Sequence, residues 1–221
     1  MAWLVDLLFP ARCVSCGASA ALLCASCTRS LPFLAGPSCR RCGAPTSWPV
    51  DRCLECSGRR LAFSSARAVV AYRGPVRDLV RGWKEHGLRR AAALVADLTV
   101  ARLQPPDAGV VTWVPPDGER LLERGHHPAR SLARLLAERW DLPSAELLER
   151  GGRSLRQTGL TLPERRRNVR GAFAPRRSVP ANVLLVDDVY TTGSTVSAAA
   201  AALRRGGATT VHVVTFARTG R

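Results

Sequence analysis

The stretch that decides the fold is VLLVDDVYTTGST, Val183–Thr195. Its first four residues are apolar without interruption, which is typical of a strand buried on both faces of a parallel sheet. Two carboxylates, Asp187 and Asp188, follow at the expected carboxyl end of this strand, where open α/β sheets bind their ligands. A loop of small and hydroxyl-bearing residues, Thr191–Thr195, then leads into a helical stretch. This order predicts an α/β fold with a ligand site at the edge of its sheet.

The loop and the acid pair together favour a sugar phosphate as the ligand. Backbone amides at the beginning of a helix are unpaired, and with the hydroxyls of Thr191–Thr195 they form a site for an anion. Asp187 and Asp188 can accept hydrogen bonds from vicinal sugar hydroxyls or help to hold a divalent cation. The structural alternative is that the acids only cap the helix, as acids before an apolar run often do.

The order of these residues resembles the 5-phosphoribosyl-1-pyrophosphate (PRPP) motif of the type I phosphoribosyltransferases, in which a hydrophobic strand leads into an acid pair and a Thr-Thr-Gly loop. The resemblance implies a Rossmann-like, mostly parallel sheet, and a ligand that is PRPP together with Mg²⁺. It assigns PRPP binding to the following residues: Val186, Asp187, Asp188, Val189, Tyr190, Thr191, Thr192, Gly193, Ser194 and Thr195.

All eight cysteines lie early in the chain as Cys-x-x-Cys pairs: Cys13/Cys16, Cys24/Cys27, Cys39/Cys42 and Cys53/Cys56. Each pair can present two thiolates to one tetrahedral ion, so the pairs predict two structural zinc sites of four cysteines each. Disulfides are the competing interpretation, but nothing in the sequence indicates export, and reduced thiols favour metal. Sequential pairing is favoured over a cross-braced arrangement, and the spacing alone leaves both open.

The charge of the chain points to anionic partners. The formal net charge is +16, and two zinc ions with four thiolates each would bring it to about +12. Among the 33 basic residues only Lys84 is a lysine. Because lysine offers a compact, tunable ammonium that arginine does not, Lys84 is a candidate functional residue, with a solvated helix lysine as the alternative.

The chain divides into a cysteine-rich module, residues 1–58, and an α/β domain, residues 59–221. The module is too short to build a core unaided, whereas the second part alternates between strand and helix patterns. Strands are predicted at 66–72, 110–114 and 211–216, and helices at 75–86, 90–103 and 196–205. A further helix carries the apolar stripe of Ala129, Leu132, Ala133, Leu136, Ala137 and Trp140. Residues 150–171 are polar and arginine-dense, which indicates a loop or hairpin.

With these pieces in order, the chain resembles the competence protein F (ComF) family, which joins an N-terminal zinc module to a type I phosphoribosyltransferase domain. The matching segments are LLFPARCVSCG, the helix around Trp83-Lys84, VPPDGERLLERG, QTGLTLPERRRNVRGAF and the PRPP loop. One segment departs from the family pattern. After Arg124-Gly125 the family has an aromatic residue and then Asn-Gln-Ala, whereas this chain has His126-His127-Pro128-Ala129. These histidines could serve as acid or base near neutral pH, or could simply be solvated.

The resemblance implies further roles around the ligand. Pro115-Pro116, at the end of a predicted strand, stands where type I enzymes carry their pyrophosphate loop. The residues expected to act in catalysis are Asp187, Asp188, Lys84, Arg120 and Arg124. Arginines of the 150–171 segment would close over the pyrophosphate as a hood, with a solvated basic loop as the alternative: Arg165, Arg166, Arg167 and Arg170.

Two functions are compatible with this resemblance, because type I folds also include proteins that bind PRPP and catalyse nothing. One is transfer of phosphoribose to a nitrogenous base with release of pyrophosphate. The other is a non-catalytic, single-stranded-DNA-binding role in DNA uptake during natural transformation. Arginines would then contact phosphates, and Trp48, Trp83, Trp113 or Tyr190 could stack on bases.

Two further expectations concern the cellular location and the oligomeric state of the protein. No apolar stretch approaches the length of a membrane span, and the apolar stretch Ala2–Phe9 is short and lacks the basic leader of a signal peptide. We therefore expect a cytoplasmic protein. Dimers are common among type I relatives, which makes a homodimer an open expectation.

Overall fold

The structure is a computed structural model that describes residues 12–19, 21–85, 87–116, 125–151 and 172–220. Its helices and strands are, in chain order, α1 (Ala25–Arg29), β1 (Ser65–Ala71), α2 (Pro75–Glu85), α3 (Ala91–Val100), β2 (Val110–Trp113), α4 (Pro128–Arg139), β3 (Leu148–Arg150), β4 (Phe173–Pro175), β5 (Asn182–Tyr190), α5 (Ser194–Arg205) and β6 (Thr210–Arg218).

Within the described residues, the main sheet has four strands in the order β1-β6-β5-β2, and every neighbouring pair is parallel. A second, two-stranded sheet pairs β3 with β4 in antiparallel fashion. The predicted fold class is confirmed in its mostly parallel, Rossmann-like sheet and in its small module with two four-cysteine groups. Each predicted strand and helix of the α/β domain lies within a few residues of its observed bounds.

Strand β5 is longer than the sequence pattern indicated. The prediction ended it at Val186, but pairing with β6 continues through Asp187, Val189 and Tyr190. Strand β2 ends earlier, where Trp113 pairs with Val186, and the Val114 amide donates to the Val186 carbonyl at 3.1 Å. The acid pair therefore lies within β5, just where its edge toward β2 becomes free.

The uninterrupted apolar run of β5 is explained by its two covered faces. Alternate side chains point to opposite faces of a strand. Leu184 and Val186 belong to one apolar cluster, which also contains the buried residues of α2, α3 and α4. Val183 and Leu185 belong to a second cluster with the buried face of α5. The stripe predicted on α4 is buried as expected, apart from its terminal Trp140, which is only partly buried.

The cysteine-rich module covers the outer edge of the sheet. Strand β1 pairs only with β6 in the main sheet, and an unpaired strand edge invites association with other chains. Here the Leu34 amide donates to Val69, the Ala71 amide to Pro32 and the Ala66 amide to Arg41. The module therefore protects this edge by hydrogen bonds.

Of the segment predicted as a loop, residues 150–171, the structure describes only Arg150 and Gly151. Arg150 closes strand β3 and pairs with Phe173 of β4; strand β3 was not predicted. The hood arginines Arg165, Arg166, Arg167 and Arg170 lie outside the described residues, as do Arg120 and Arg124. None of the helices in the described ranges has the length and apolar character that a membrane crossing requires.

Candidate functional site

A cavity of about 430 Å³ opens at the carboxyl ends of the parallel strands. It forms where β2 stops and β5 continues, so the fold exposes the acid pair there instead of pairing it. The residues that line the cavity come from segments that are far apart in the chain. They are Tyr72, Lys84, Val114, Pro115, Pro116, His126, His127, Pro128, Ala129, Arg150, Asp187, Asp188, Val189, Thr191 and Thr195.

The two carboxylates of the cavity have different partners. Asp188 forms an ion pair with Lys84, in which Asp188 Oδ1 and Lys84 Nζ are 2.8 Å apart. Asp187 accepts a hydrogen bond at Oδ1 from the Asp188 amide at 2.9 Å. Burial, followed by the neighbouring charge of Asp188, raises the pKa of Asp187 to about 8, although Lys84 acts in the opposite direction. This raised pKa favours the protonated form of Asp187 at neutral pH.

Lys84 is held at the cavity by the end of helix α2. Its side chain is only 25 % exposed and is paired with Asp188, so the alternative of a fully solvated lysine is wrong. The preceding residue, Trp83, is buried, and its carbonyl accepts a hydrogen bond from His126 Nε2 at 2.6 Å. Because a carbonyl can only accept, His126 carries its proton on Nε2. His126 thus fixes the end of the helix that delivers Lys84.

The loop after β5 has the shape expected of an anion site. Gly193 has a positive φ of 73°, and a Cβ atom there would overlap the Tyr190 hydroxyl. Thr192 Oγ1 accepts from the Ser194 amide at 3.3 Å and donates to the Ser194 hydroxyl at 2.9 Å. Helix α5 begins at Ser194; its N-cap residue, Gly193, makes no side-chain cap, and no acid lies in the first turn. The positive end of the helix dipole is therefore available to an anion.

The two cysteine groups have the geometry of metal centres. The sulfur atoms of Cys13, Cys16, Cys24 and Cys27 lie within 4.8 Å of one another, and so do those of Cys39, Cys42, Cys53 and Cys56. Neighbouring sulfurs such as those of Cys42 and Cys53 are 3.5 Å apart. Tetrahedral zinc at a Zn–S distance of about 2.3 Å requires about 3.8 Å between sulfurs, and a disulfide requires about 2.05 Å. The sulfurs fit zinc, and the predicted sequential pairing is confirmed.

Comparison with known proteins agrees with this architecture. Residues 4–58 match the family model described as a double zinc ribbon domain. "DNA utilization protein YhgH" of Salmonella typhimurium is 30% identical over 95% of this chain and 98% of its own length. Competence protein F of Haemophilus influenzae is 27% identical over the same shares, and competence protein ComFC of Bacillus subtilis is 28% identical over 89% and 84%. The chain belongs to the ComF family.

Two solved structures are similar to part of this ComF chain. A structure described as the allosteric regulatory enzyme of purine biosynthesis is 26% identical over 59% of this chain and 25% of its own, with a TM-score of 0.40. Adenine phosphoribosyltransferase from Leishmania tarentolae is 15% identical over 62% and 74%, with a TM-score of 0.37.

The ComF structure brings together most of the described residues that the sequence singled out. Those that line the cavity are Lys84, Pro115, Pro116, Asp187, Asp188, Val189, Thr191 and Thr195. The turn between the last two consists of Thr192, Gly193 and Ser194. Val186 and Tyr190 are buried in the core. Neither residue lines the cavity, so the expectation that these two residues bind PRPP stays a prediction.

Two polar residues that line the cavity of this ComF protein are not among the site residues predicted from the sequence. Tyr72 follows directly after β1, at the same edge of the sheet as the acid pair, and Arg150 ends β3. The charge of Arg150 lowers the pKa of Asp187, as that of Lys84 does. The position of Tyr72 at a strand end was a usable signal. The sequence pattern places Arg150 only at the start of a basic loop, because strand β3 is too short to recognise.

His127 has a structural role that the sequence did not indicate. Its Nδ1 accepts a hydrogen bond from the Arg130 amide at 3.2 Å and thereby caps helix α4. Burial lowers the pKa of His127 to about 4. The expectation that this side chain titrates near neutral pH is therefore wrong, and the imidazole is neutral under physiological conditions.

Most of the aromatic side chains considered for base stacking are inaccessible. Trp83, Trp113 and Tyr190 are buried, whereas Trp48 is 68% exposed. A buried ring cannot offer its face to a base, so of the four candidates only Trp48 remains.

Proposed function

We propose that this ComF protein binds PRPP as its magnesium complex in the cavity and transfers the phosphoribosyl group to a nitrogenous base. The observation that carries the proposal is the convergence of an acid pair, a lysine and an anion loop on one cavity at the carboxyl edge of the sheet. Each of these groups matches one part of the ligand: the ribose hydroxyls, the pyrophosphate and the 5-phosphate.

The binding roles follow from charge and hydrogen-bonding capacity. The amides and hydroxyls of Thr191–Thr195 bind the 5-phosphate at the start of helix α5. Asp187 and Asp188 accept hydrogen bonds from the ribose hydroxyls. Asp187 and Asp188 would also help to hold the Mg²⁺ that enters with the substrate, and this ion would neutralise charge on the ligand.

The leaving group lies between the Pro115-Pro116 turn and Lys84 in this proposal. The ammonium of Lys84 is 2.8 Å from Asp188 in the ligand-free protein, close enough to turn toward pyrophosphate oxygens once ribose hydroxyls engage the acid. Arg120, Arg124 and the hood arginines stay predictions for the same role, because they lie outside the described residues.

The transfer itself breaks the bond between C1 of the ribose and the pyrophosphate oxygen, and the electron pair leaves with pyrophosphate. A bond from C1 to a nitrogen of the base forms, and that nitrogen loses a proton. The transition state resembles an oxocarbenium ion, so the protein must hold both reactants in line, stabilise the departing charge and exclude water. The neutral cavity wall of His127, Pro128 and Ala129 suits the exclusion of water.

The test is a calorimetric titration of zinc-loaded protein with PRPP and Mg²⁺, beside the Asp187→Asn/Asp188→Asn variant. The proposal requires micromolar binding to the wild type and its loss in the variant, followed by pyrophosphate release when nitrogenous bases are added. Absence of heat with a folded, zinc-replete wild type would contradict PRPP binding. Binding without pyrophosphate release from any base would leave a PRPP-binding protein and contradict the transferase step.

Binding of single-stranded DNA is a second candidate function, with its own observations. Relatives carry the names "DNA utilization protein" and "competence protein", the chain is strongly basic, and Trp48 presents an exposed ring on the zinc module. If this function holds, affinity falls steeply with salt, and Trp48→Ala weakens binding by about tenfold, the effect of losing one stacked base. The acid-pair variant then keeps its DNA affinity. An affinity independent of salt would exclude this function.

A further inference from the structure

Residues 59–64, which connect the zinc module to β1, lie along helix α5. Arg59 Nη2 donates to the Thr192 carbonyl at 2.6 Å. The Ala62 amide donates to Ser197 Oγ at 3.1 Å, one turn further along the helix. This connection is therefore hydrogen-bonded both to the loop Thr191–Thr195 and to helix α5.

Arg59 is also fastened to the second cysteine group, Cys39, Cys42, Cys53 and Cys56, called here the second zinc site. Its amide donates to the Cys56 carbonyl at 3.2 Å, and its carbonyl accepts from Arg52 Nη1 at 3.3 Å. The backbone of Arg59 is therefore fixed by a zinc-ligand residue, while its side chain holds the loop.

A second contact joins the same zinc site to the underside of the loop. Arg218, only 2% exposed, donates to the Cys42 carbonyl and to Glu55, both at 2.7 Å. Its guanidinium lies over the Tyr190 ring, 4.9 Å from the centroid, and Tyr190 packs directly beneath Gly193. The loop is consequently held at Thr192 by Arg59 and at Gly193 by Tyr190 and Arg218.

We propose that the second zinc site shapes the 5-phosphate loop and that Arg59 is its positioning residue. The inference rests on the proposed function of this loop. A peptide carbonyl that points toward a phosphate would repel it. Arg59 binds the Thr192 carbonyl in a charge-assisted hydrogen bond and so keeps it from pointing toward the phosphate. Because this carbonyl is fixed, the loop amides keep the orientation that an anion requires. Binding of the phosphate then costs less conformational entropy, since the loop is already ordered.

The test compares Arg59→Gln with Arg60→Gln, its exposed neighbour, which makes the same change of charge. Ribose 5-phosphate and pyrophosphate are titrated separately into each zinc-loaded protein. Loss of one hydrogen bond from a charged donor predicts roughly tenfold weaker binding of ribose 5-phosphate to Arg59→Gln. Pyrophosphate affinity should change less than twofold, Arg59→Lys should recover part of the loss, and Arg60→Gln should resemble the wild type.

A loss common to both variants, or equal for both ligands, would overturn the positioning role, because it would reflect general charge or general instability. If Arg59→Gln does not fold or does not retain zinc, hydrogen exchange of Gly193–Thr195 is measured in Arg59→Lys and Arg60→Lys. Faster exchange only in the former supports the inference, and equal exchange overturns it.

The same titrations separate this inference from the proposed function. Ribose 5-phosphate binding that depends on Arg59, in a protein that does not bind PRPP, would contradict the proposed function alone. PRPP binding that depends on the acid pair but not on Arg59 would contradict the inference alone. A wild type that binds neither ligand would overturn both.

Discussion

Replacing Asp187 by asparagine should stabilise the ligand-free protein while abolishing its ligand binding. Burial and the charge of Asp188 raise the pKa of this carboxyl from its usual 3.8 to about 8. In the unfolded chain the same group ionises near its usual value. Folding therefore binds a proton between these two pH values, and the stability of the folded state falls as the pH rises from about 4 to about 8.

The size of this change in the free energy of unfolding depends on the two pH values that are compared. From pH 6 to the folded pKa of about 8, each pH unit costs about 1.4 kcal/mol, so the wild type loses about 2.7 kcal/mol through Asp187 by pH 9. Asparagine at this position does not titrate. The difference in free energy of unfolding between Asp187→Asn and wild type should therefore grow by about 2–3 kcal/mol from pH 6 to pH 9.

Urea unfolding of both proteins at the two pH values measures this difference, and groups common to both proteins cancel. Asp188→Asn is the matched control. It leaves Lys84 without its partner at 2.8 Å, so at pH 6 it should destabilise the protein by about 1–3 kcal/mol, less than for a fully buried pair. A stability difference between Asp187→Asn and wild type that is the same at both pH values would refute the reasoning.

Three further predictions concern the loop, the helix cap and the zinc sites. Gly193→Ala should lower the free energy of unfolding by about 2–5 kcal/mol and weaken ribose 5-phosphate binding, since it adds a strained φ and an overlap with Tyr190; wild-type stability and affinity would contradict the described loop. His127→Ala should cost about 1 kcal/mol in urea unfolding at pH 7, whereas asparagine retains the cap. As the pH falls from 6.5 toward 4, the wild type should lose stability relative to the asparagine variant, because the folded pKa of His127 is lowered. Cys16→Ser should leave about one zinc per chain and a folded domain, whereas Cys39→Ser, in the buried second site, should abolish cooperative melting; equal effects would contradict this difference in burial.

The sequence was sufficient for the fold and for those parts of the site that are local in the chain. The stretch Val183–Thr195 contains its strand, acid pair, loop and helix start within one continuous segment, so its order alone indicates its geometry. The cysteine pairs are similarly local. The alternation of strand and helix patterns predicted the parallel sheet, because a parallel connection needs a crossover of about this length.

The parts that the sequence did not indicate depend on contacts between distant segments. The pairing of Lys84 with Asp188 joins residues from two different elements, and Arg150 reaches the cavity from a short strand. Arg218 was unremarkable in the sequence, yet it is buried against Tyr190 and the second zinc site. Burial likewise decides which aromatic rings can meet a base: Tyr190 is buried against Phe63 and Arg218, which are distant in the chain, whereas Trp48 is exposed.

The most direct measurement for the central claim is a crystal structure of the zinc-loaded protein with Mg²⁺ and PRPP. The account predicts the 5-phosphate within hydrogen-bond distance of the Thr191–Thr195 amides, the ribose hydroxyls on Asp187 and Asp188, and the pyrophosphate beside Pro115-Pro116 and Lys84. PRPP bound elsewhere on the protein, or in this cavity with its ribose turned away from the acid pair, would contradict it.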